Sequence, residues 1–90
     1  NKLPQKIYLT TETLDSLEGP FFLITANLIL GTIIELLPIL VKMLIPGGYL
    51  ILSGLLGEET IKVEKYLTLY GLKKPKIFHE QEWACILVGK

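Results

Sequence analysis

Residues 19–57 read GPFFLITANLILGTIIELLPILVKMLIPGGYLILSGLLG and carry only two charges, Glu35 and Lys42. A run this apolar is either a membrane span or the buried layer of a sheet. A spanning helix needs about 18 to 20 uninterrupted apolar residues. Glu35 closes the first run, Gly19–Ile34, short of that length, and Pro46-Gly47-Gly48 splits the second. The remaining solution is a parallel sheet, whose strands are covered on both faces and therefore read as continuous apolar runs. No charged segment followed by an apolar stretch and a small-residue cleavage site opens the sequence, so a signal peptide is not expected.

Within this stretch, Phe21–Leu28 reads as a fully buried strand whose apolar run is broken by the polar Asn27. From Thr32 to Leu44, Glu35, Pro38 and Lys42 fall at i, i+3 and i+7. That spacing sets them on one narrow exposed stripe of a helix, with the aliphatic side chains covering the rest. Pro38 removes one helical hydrogen bond and either kinks the element or marks a later start. Pro46-Gly47-Gly48 stops the helix, and Tyr49–Ser53 follows as a third apolar strand.

Upstream, Ile7–Thr11 is a short strand running into a polar loop, and Asp15–Pro20 is a loop or single turn. Downstream, Gly54–Gly57 leads into a second helix over Glu58–Tyr70, where Val63, Tyr66, Leu67 and Tyr70 repeat at helical spacing. Glu58 and Lys62 are spaced for an ion pair on its outer face, and Gly71 suits the position just past its end. Lys76–His79 and Trp83–Val88 have hairpin spacing, which makes them antiparallel. The order β, β-α, β-α, β-β predicts an α/β fold with a mainly parallel sheet and a C-terminal antiparallel hairpin. Ligands bind such sheets beyond the carboxyl ends of the strands. Asn27 and Ser53 occupy those ends on consecutive strands, so they are expected side by side over the crevice.

Composition adds a tension. The chain has 90 residues, of which 50% are apolar and 20% charged. A folded chain of this size hides only about 60 to 65% of its unfolded surface. The apolar share exceeds what one such core absorbs, which predicts a covering partner or membership of a larger unit. Zero formal charge argues against a broad basic footprint for nucleic acid. The single cysteine, Cys85, excludes an internal disulfide and a multi-cysteine metal site, and it suits a reducing cytoplasm.

Asn27 is the most informative polar residue. Its carbonyl can accept a hydrogen bond from an amine and its NH2 can donate one, which suits holding a neutral amine with its lone pair aimed at an electrophile. Asparagine also forms turns with its own backbone, and spacing alone favours that reading. Ser53-Gly54 offers a hydroxyl and a close backbone approach at the same crevice, or simply a strand-to-loop transition; the G-x-S-x-G frame of a nucleophile elbow is missing. His79, Glu80, Glu82 and Cys85 match no standard metal-ligand spacing, so no metal is expected. His79 reads as structural, and Trp83 as packing rather than stacking on a ligand. No G-x-G-x-x-G or G-x-x-x-x-G-K occurs, so the sequence contains no nucleotide cradle of its own.

Three segments taken together, Gly19-Pro20-Phe21-Phe22-Leu23-Ile24-Thr25-Ala26-Asn27-Leu28, Leu44-Ile45-Pro46-Gly47-Gly48-Tyr49-Leu50-Ile51-Leu52-Ser53-Gly54-Leu55-Leu56 and Glu82-Trp83, resemble the C-terminal half of the ribosomal protein L11 methyltransferase family. That family belongs to the class I methyltransferases, which use S-adenosylmethionine. The resemblance implies a partial Rossmann-like methyltransferase sheet and a catalytic, cofactor-contacting role for Asn27 beside the donor methyl and the incoming amine. It implies a substrate-side role for Ser53 and Gly54, and it sets Thr11 loosely at the adenine pocket. Phe22 departs from the family's usual Asp at the start of that strand, a position that affects packing rather than chemistry.

The implied activity is N-methylation of amino groups on a protein such as ribosomal protein L11, in the cytoplasm, with no membrane or direct nucleic-acid partner. In the resembled sheet order, 3-2-1-4-5-7-6, the present strands are numbers 3 to 7, and strands 1 and 2 fall outside the chain. Residues 1–90 are therefore expected to form a single partial domain, with the cofactor-binding half supplied from elsewhere. The gap should leave the buried edge of the Phe21 strand unpaired and apolar surface exposed. A homo-oligomer or a complementing N-terminal segment would cover it. The competing expectation is a non-catalytic α/β remnant that serves dimerisation or partner binding.

Overall fold

The structure, a computed structural model, describes residues 3–10 and 18–90. Five strands form one sheet in the spatial order β1-β2-β3-β5-β4: β1 is Gln5–Leu9, β2 Phe21–Asn27, β3 Leu44–Leu56, β4 Lys73–Glu80 and β5 Trp83–Gly89. β1, β2 and β3 run parallel, while β5 is antiparallel to both β3 and β4. The predicted α/β class, the parallel strands and the antiparallel hairpin are all present, and the second hairpin strand lies inside the first, as the resemblance implied.

Helices α1 (Leu30–Met43) and α2 (Thr60–Leu69) pack on one another and on β2, β3 and β4. The cross-strand rows Ile7–Ile24–Leu50–Val88 and Leu9–Ala26–Leu52–Ile86–Ile77 form the floor beneath them. Ile24, Leu50, Leu52 and Ile86 are fully buried there with Ile33, Leu37 and Leu40 of α1 and Val63 and Leu67 of α2. The stripe read from the sequence is correct: Glu35, Pro38 and Lys42 are all exposed. Pro38 lies inside α1 rather than at its start. An exposed face tolerates proline because the lost hydrogen bond can be replaced by water.

The second helix begins later than predicted. Gly57–Glu59 is a 3-10 turn, so Glu58 precedes α2. Glu59 Oε1 accepts the Leu56 N–H at 2.8 Å, and the buried Thr60 hydroxyl donates to Gly57 O at 2.9 Å. At the other end, the Leu72 N–H donates to Leu67 O at 2.9 Å around Gly71, the helix-closing bond expected there.

Two corrections concern the sheet. First, the edge of β2 is not vacant, because β1 pairs with it directly in parallel register from Lys6–Leu23 to Leu9–Ala26. An apolar strand edge with unpaired N–H and C=O groups takes up the nearest compatible extended segment. Second, the strands are covered on one face only. The row Tyr8–Thr25–Ile51–Leu87–Lys76 lies on the opposite face, over which no helix of the described residues passes. Tyr8 is 76% exposed and Tyr49 54%. Exposed apolar side chains also stand on the helices, at Ile39 of α1 and at Ile61 and Leu69 of α2.

Pro46-Gly47-Gly48 does not separate α1 from β3 but interrupts the strand, which begins at Leu44. Gly48 lies so close to the neighbouring strand that a Cβ there would stand 3.0 Å from Phe22 O and 2.9 Å from Leu44 Cδ1. Lys90 closes this end of the sheet. Its Nζ donates to Val41 O at 2.6 Å and Leu44 O at 2.7 Å, and its backbone exchanges bonds with Gly47 and Gly48. A cation on the last carbonyls of α1 complements the negative end of the helix dipole.

Candidate functional site

At the carboxyl ends of β2 and β3, Asn27 pairs with Ser53, and the Leu28 N–H donates to Ser53 O at 3.2 Å. The side-by-side arrangement expected from the sequence is therefore observed. Beyond this point β3 and β5 lose register, since Leu52 pairs with Ile86 but Leu55 with Ala84. Two residues, Ser53 and Gly54, oppose the single Cys85. This bulge bends the strand and re-aims its side chains, as bulges near binding sites do.

Gly54 has φ +85, a conformation that L side chains rarely adopt. A Cβ there would lie 2.6 Å from Asn27 Oδ1 and 3.0 Å from Leu28 O. Glycine at this position is what allows the Asn27 carboxamide to lie against the bulge. The close backbone approach read from Ser53-Gly54 is thus present, and its neighbour is Asn27 itself.

A crevice of about 550 Å³ opens here, lined by Asn27, Ser53 and Gly54 from the parallel strands. The hairpin completes it with Phe78, His79, Glu80, Gln81, Trp83, Ala84 and Cys85. Asn27 is exposed, so its amide is available to a ligand. His79, expected to be structural, is exposed rather than packed in the core. One edge of its ring rests on Gly57, where a Cβ would stand 3.3 Å from Nδ1. Trp83, expected to pack, is 50% exposed on the crevice wall. Burial raises the Cys85 thiol above its ordinary pKa, which keeps it protonated at neutral pH.

Sequence reasoning brought Asn27, Ser53 and Gly54 together but left the hairpin residues apart from them. The signal that joins them is the insertion of β5 between β3 and β4, which sets the start of β5 beside the end of β3. Thr11, assigned to the adenine pocket, lies outside the described residues. Among the described residues no group of three or more His, Cys, Asp or Glu side chains is arranged to hold a metal ion.

Comparison with known proteins bears on this site. The family model described as "Ribosomal protein L11 methyltransferase (PrmA)" matches residues 1–90. The chain is 37% identical over 86 residues to the ribosomal protein L11 methyltransferase of Syntrophotalea carbinolica, covering 96% of this chain and 28% of that protein. It is 36% identical to that of Geotalea daltonii, covering 96% and 27%. A crystal structure of ribosomal protein L11 methylase from Lactobacillus delbrueckii subsp. bulgaricus superposes with a TM-score of 0.80 at 25% identity, over 89% of this chain and 42% of that one. The chain thus spans about a quarter of the length of the curated relatives it matches. With the family model matched from end to end and the sheet reproduced in a solved relative, the chain belongs to the ribosomal protein L11 methyltransferase family.

Proposed function

We propose that this chain is the C-terminal, acceptor-side portion of an S-adenosylmethionine-dependent N-methyltransferase acting on amino groups of a protein, with ribosomal protein L11 as the substrate. The observation that carries the reading is the exposed Asn27 carboxamide at the end of β2, beside Ser53 and against the Cβ-free Gly54.

The residues present fit one end of the cofactor. A carboxamide, a hydroxyl and a close backbone approach in a crevice of about 550 Å³ can receive a methylsulfonium group and an amine together. When bound, the cofactor supplies an electrophilic methyl group that carries its own leaving group. Asn27 Oδ1 accepts a hydrogen bond from the acceptor amine and orients its lone pair. Ser53 and Gly54 shape the wall on the acceptor side. The sequence holds no glycine-rich cradle, so the adenosine end is held by the parts of the protein that correspond to the other three-quarters of the relatives, with Thr11 contributing at the adenine pocket.

A cytoplasmic location suits the free thiol of Cys85. No helix among the described residues is long and apolar enough to cross a membrane. The test uses the protein as its gene encodes it: Asn27→Ala should leave donor binding by calorimetry within a few-fold and reduce methyl transfer by about 10²- to 10³-fold, the scale for losing one positioned polar group. Unchanged transfer in that variant would refute the assignment.

The uncovered sheet face favours a second reading, a partner-binding role without catalysis. A gene product that binds no S-adenosylmethionine yet sediments as a stable complex would support it.

A further inference from the structure

We propose that the hairpin wall of the crevice, formed by Phe78, Glu80 and Trp83, is a subsite for a second basic side chain of the acceptor segment, about three or four residues along from the amine held by Asn27. The inference deepens the amine-acceptor reading of the crevice given above and rests on it.

Strand register puts the three side chains together. Glu80 pairs with Trp83 and Phe78 with Cys85, while the alternate residues Ile77 and His79 pair with the buried Ile86 and Ala84. Successive side chains point to opposite faces of a sheet, so Phe78, Glu80 and Trp83 share the face that the helices leave open. Asn27 and Ser53 share it too, because they alternate with the buried Ala26 and Leu52. Directly opposed residues have Cβ atoms about 4.5–5.5 Å apart, and diagonal ones stay within reach of aromatic side chains. The wall is therefore one cluster, a carboxylate with an indole beside it and a phenyl ring on the diagonal.

The chemistry of this cluster selects a cation. Trp83 is half exposed and Phe78 slightly more, so both rings offer surface to a ligand. A basic head group over an aromatic face is attracted by the ring quadrupole, most strongly at tryptophan, and the Glu80 carboxylate adds opposite charge. No lysine among the described residues lines the crevice, and Lys73, Lys74 and Lys76 lie toward the other end of β4. The wall is also braced before a ligand arrives. The Gly57 N–H donates to Glu82 O at 2.8 Å, which fastens the turn between β4 and β5 to the 3-10 turn. A preformed wall reduces the ordering cost of binding.

The sheet sets the spacing. In the order β2-β3-β5-β4, Trp83 stands two strand intervals from Asn27 and Glu80 three. At about 4.8 Å per interval, the wall begins about 10 Å from the Asn27 strand and ends about 14 Å from it, so one ammonium group does not meet both. An extended chain advances about 3.3 Å per residue, and about three or four residues span the gap. The acceptor segment thus crosses the open face with its reacting amine at Asn27 and a second cation at the hairpin.

Two measurements on the protein as its gene encodes it test the proposal. The first needs no methyl transfer: NMR of the Trp83 indole is followed during titration with peptides in which norleucine replaces the acceptor lysine and one arginine is moved stepwise along the chain. The signal should shift most with arginine about three or four residues from the norleucine, and Glu80→Lys should remove that preference. An unmoved signal, or shifts indifferent to arginine position or to Glu80→Lys, overturns the proposal whether or not methyl groups are transferred. In the second, the acceptor lysine is restored. Arginine at the favoured position should raise kcat/KM about tenfold over alanine there, the scale of one cation–π contact joined to one exposed ion pair, and Glu80→Lys should bring the ratio to unity or below. A wild-type ratio near unity, or one that Glu80→Lys leaves unchanged, also overturns it. A wild-type protein that methylates none of the peptides refutes the methyltransferase reading instead, and the NMR titration still decides the subsite.

Discussion

A Cβ placed on Gly54 would stand 2.6 Å from the carboxamide oxygen of Asn27. Real Cβ atoms do not approach so closely, so any other residue at position 54 displaces Asn27, the bulge, or both. The left-handed φ adds a cost of about 1–2 kcal/mol for an L side chain. Gly54→Ala should therefore lower the urea midpoint by a free energy of at least that size and reduce methyl transfer as strongly as loss of Asn27 itself. A variant with full activity would show that the contact has no role in positioning.

Lys90 tests the far end of the sheet. Its Nζ caps Val41 and Leu44 carbonyls at the end of α1, and part of its charge is screened by solvent. Lys90→Met should cost about 1 kcal/mol in denaturant unfolding, with faster amide exchange in the last turn of α1. The difference from wild type should shrink in high salt.

Leu52 stands between Ala26 and Ile86 in the buried row under α1, with no exposed surface. Leu52→Ala should cost about 2–4 kcal/mol, the range for truncating a leucine in a packed core. Calorimetric unfolding measures it directly.

Cys85 gives a pH dependence. Burial raises its pKa in the folded state, so the unfolded thiol ionises first as pH rises. The stability linked to this group is fully present below the ordinary thiol range of about 8.5 and is lost as pH climbs through the folded value. Cys85→Ser should flatten the alkaline limb of the stability curve, and iodoacetamide should label native Cys85 more slowly than unfolded Cys85 at pH 8.

The elements were legible wherever one physical signal dominated. Glu35, Pro38 and Lys42 marked the outer stripe of α1, and Asn27 marked the end of β2. What the sequence left out depends on neighbours distant along the chain. Nothing near Ile7 announces that β1 will close the edge of β2, because strand partners are chosen by which edge is free. The loss of one register step opposite Cys85 is equally invisible, since it arises from how β3 meets β5 and not from either segment alone. The hairpin's share of the crevice is hidden for the same reason: neither β4 nor β5 carries a mark of the β3 end beside which the inserted strand sets them.

β3 joins two regions with different demands. At its start, Leu44, Gly47 and Gly48 are bound to Lys90 in a closed knot of hydrogen bonds, and at its finish Ser53 and Gly54 border open space. A single strand thus separates an anchored pole from an open one, with the buried Leu50 and Leu52 between them. Changes at sites this far apart without shared partners add nearly independently. Natural variation can therefore alter the lining of the crevice while leaving the anchor intact, and a loosened anchor can be repaired without disturbing that lining.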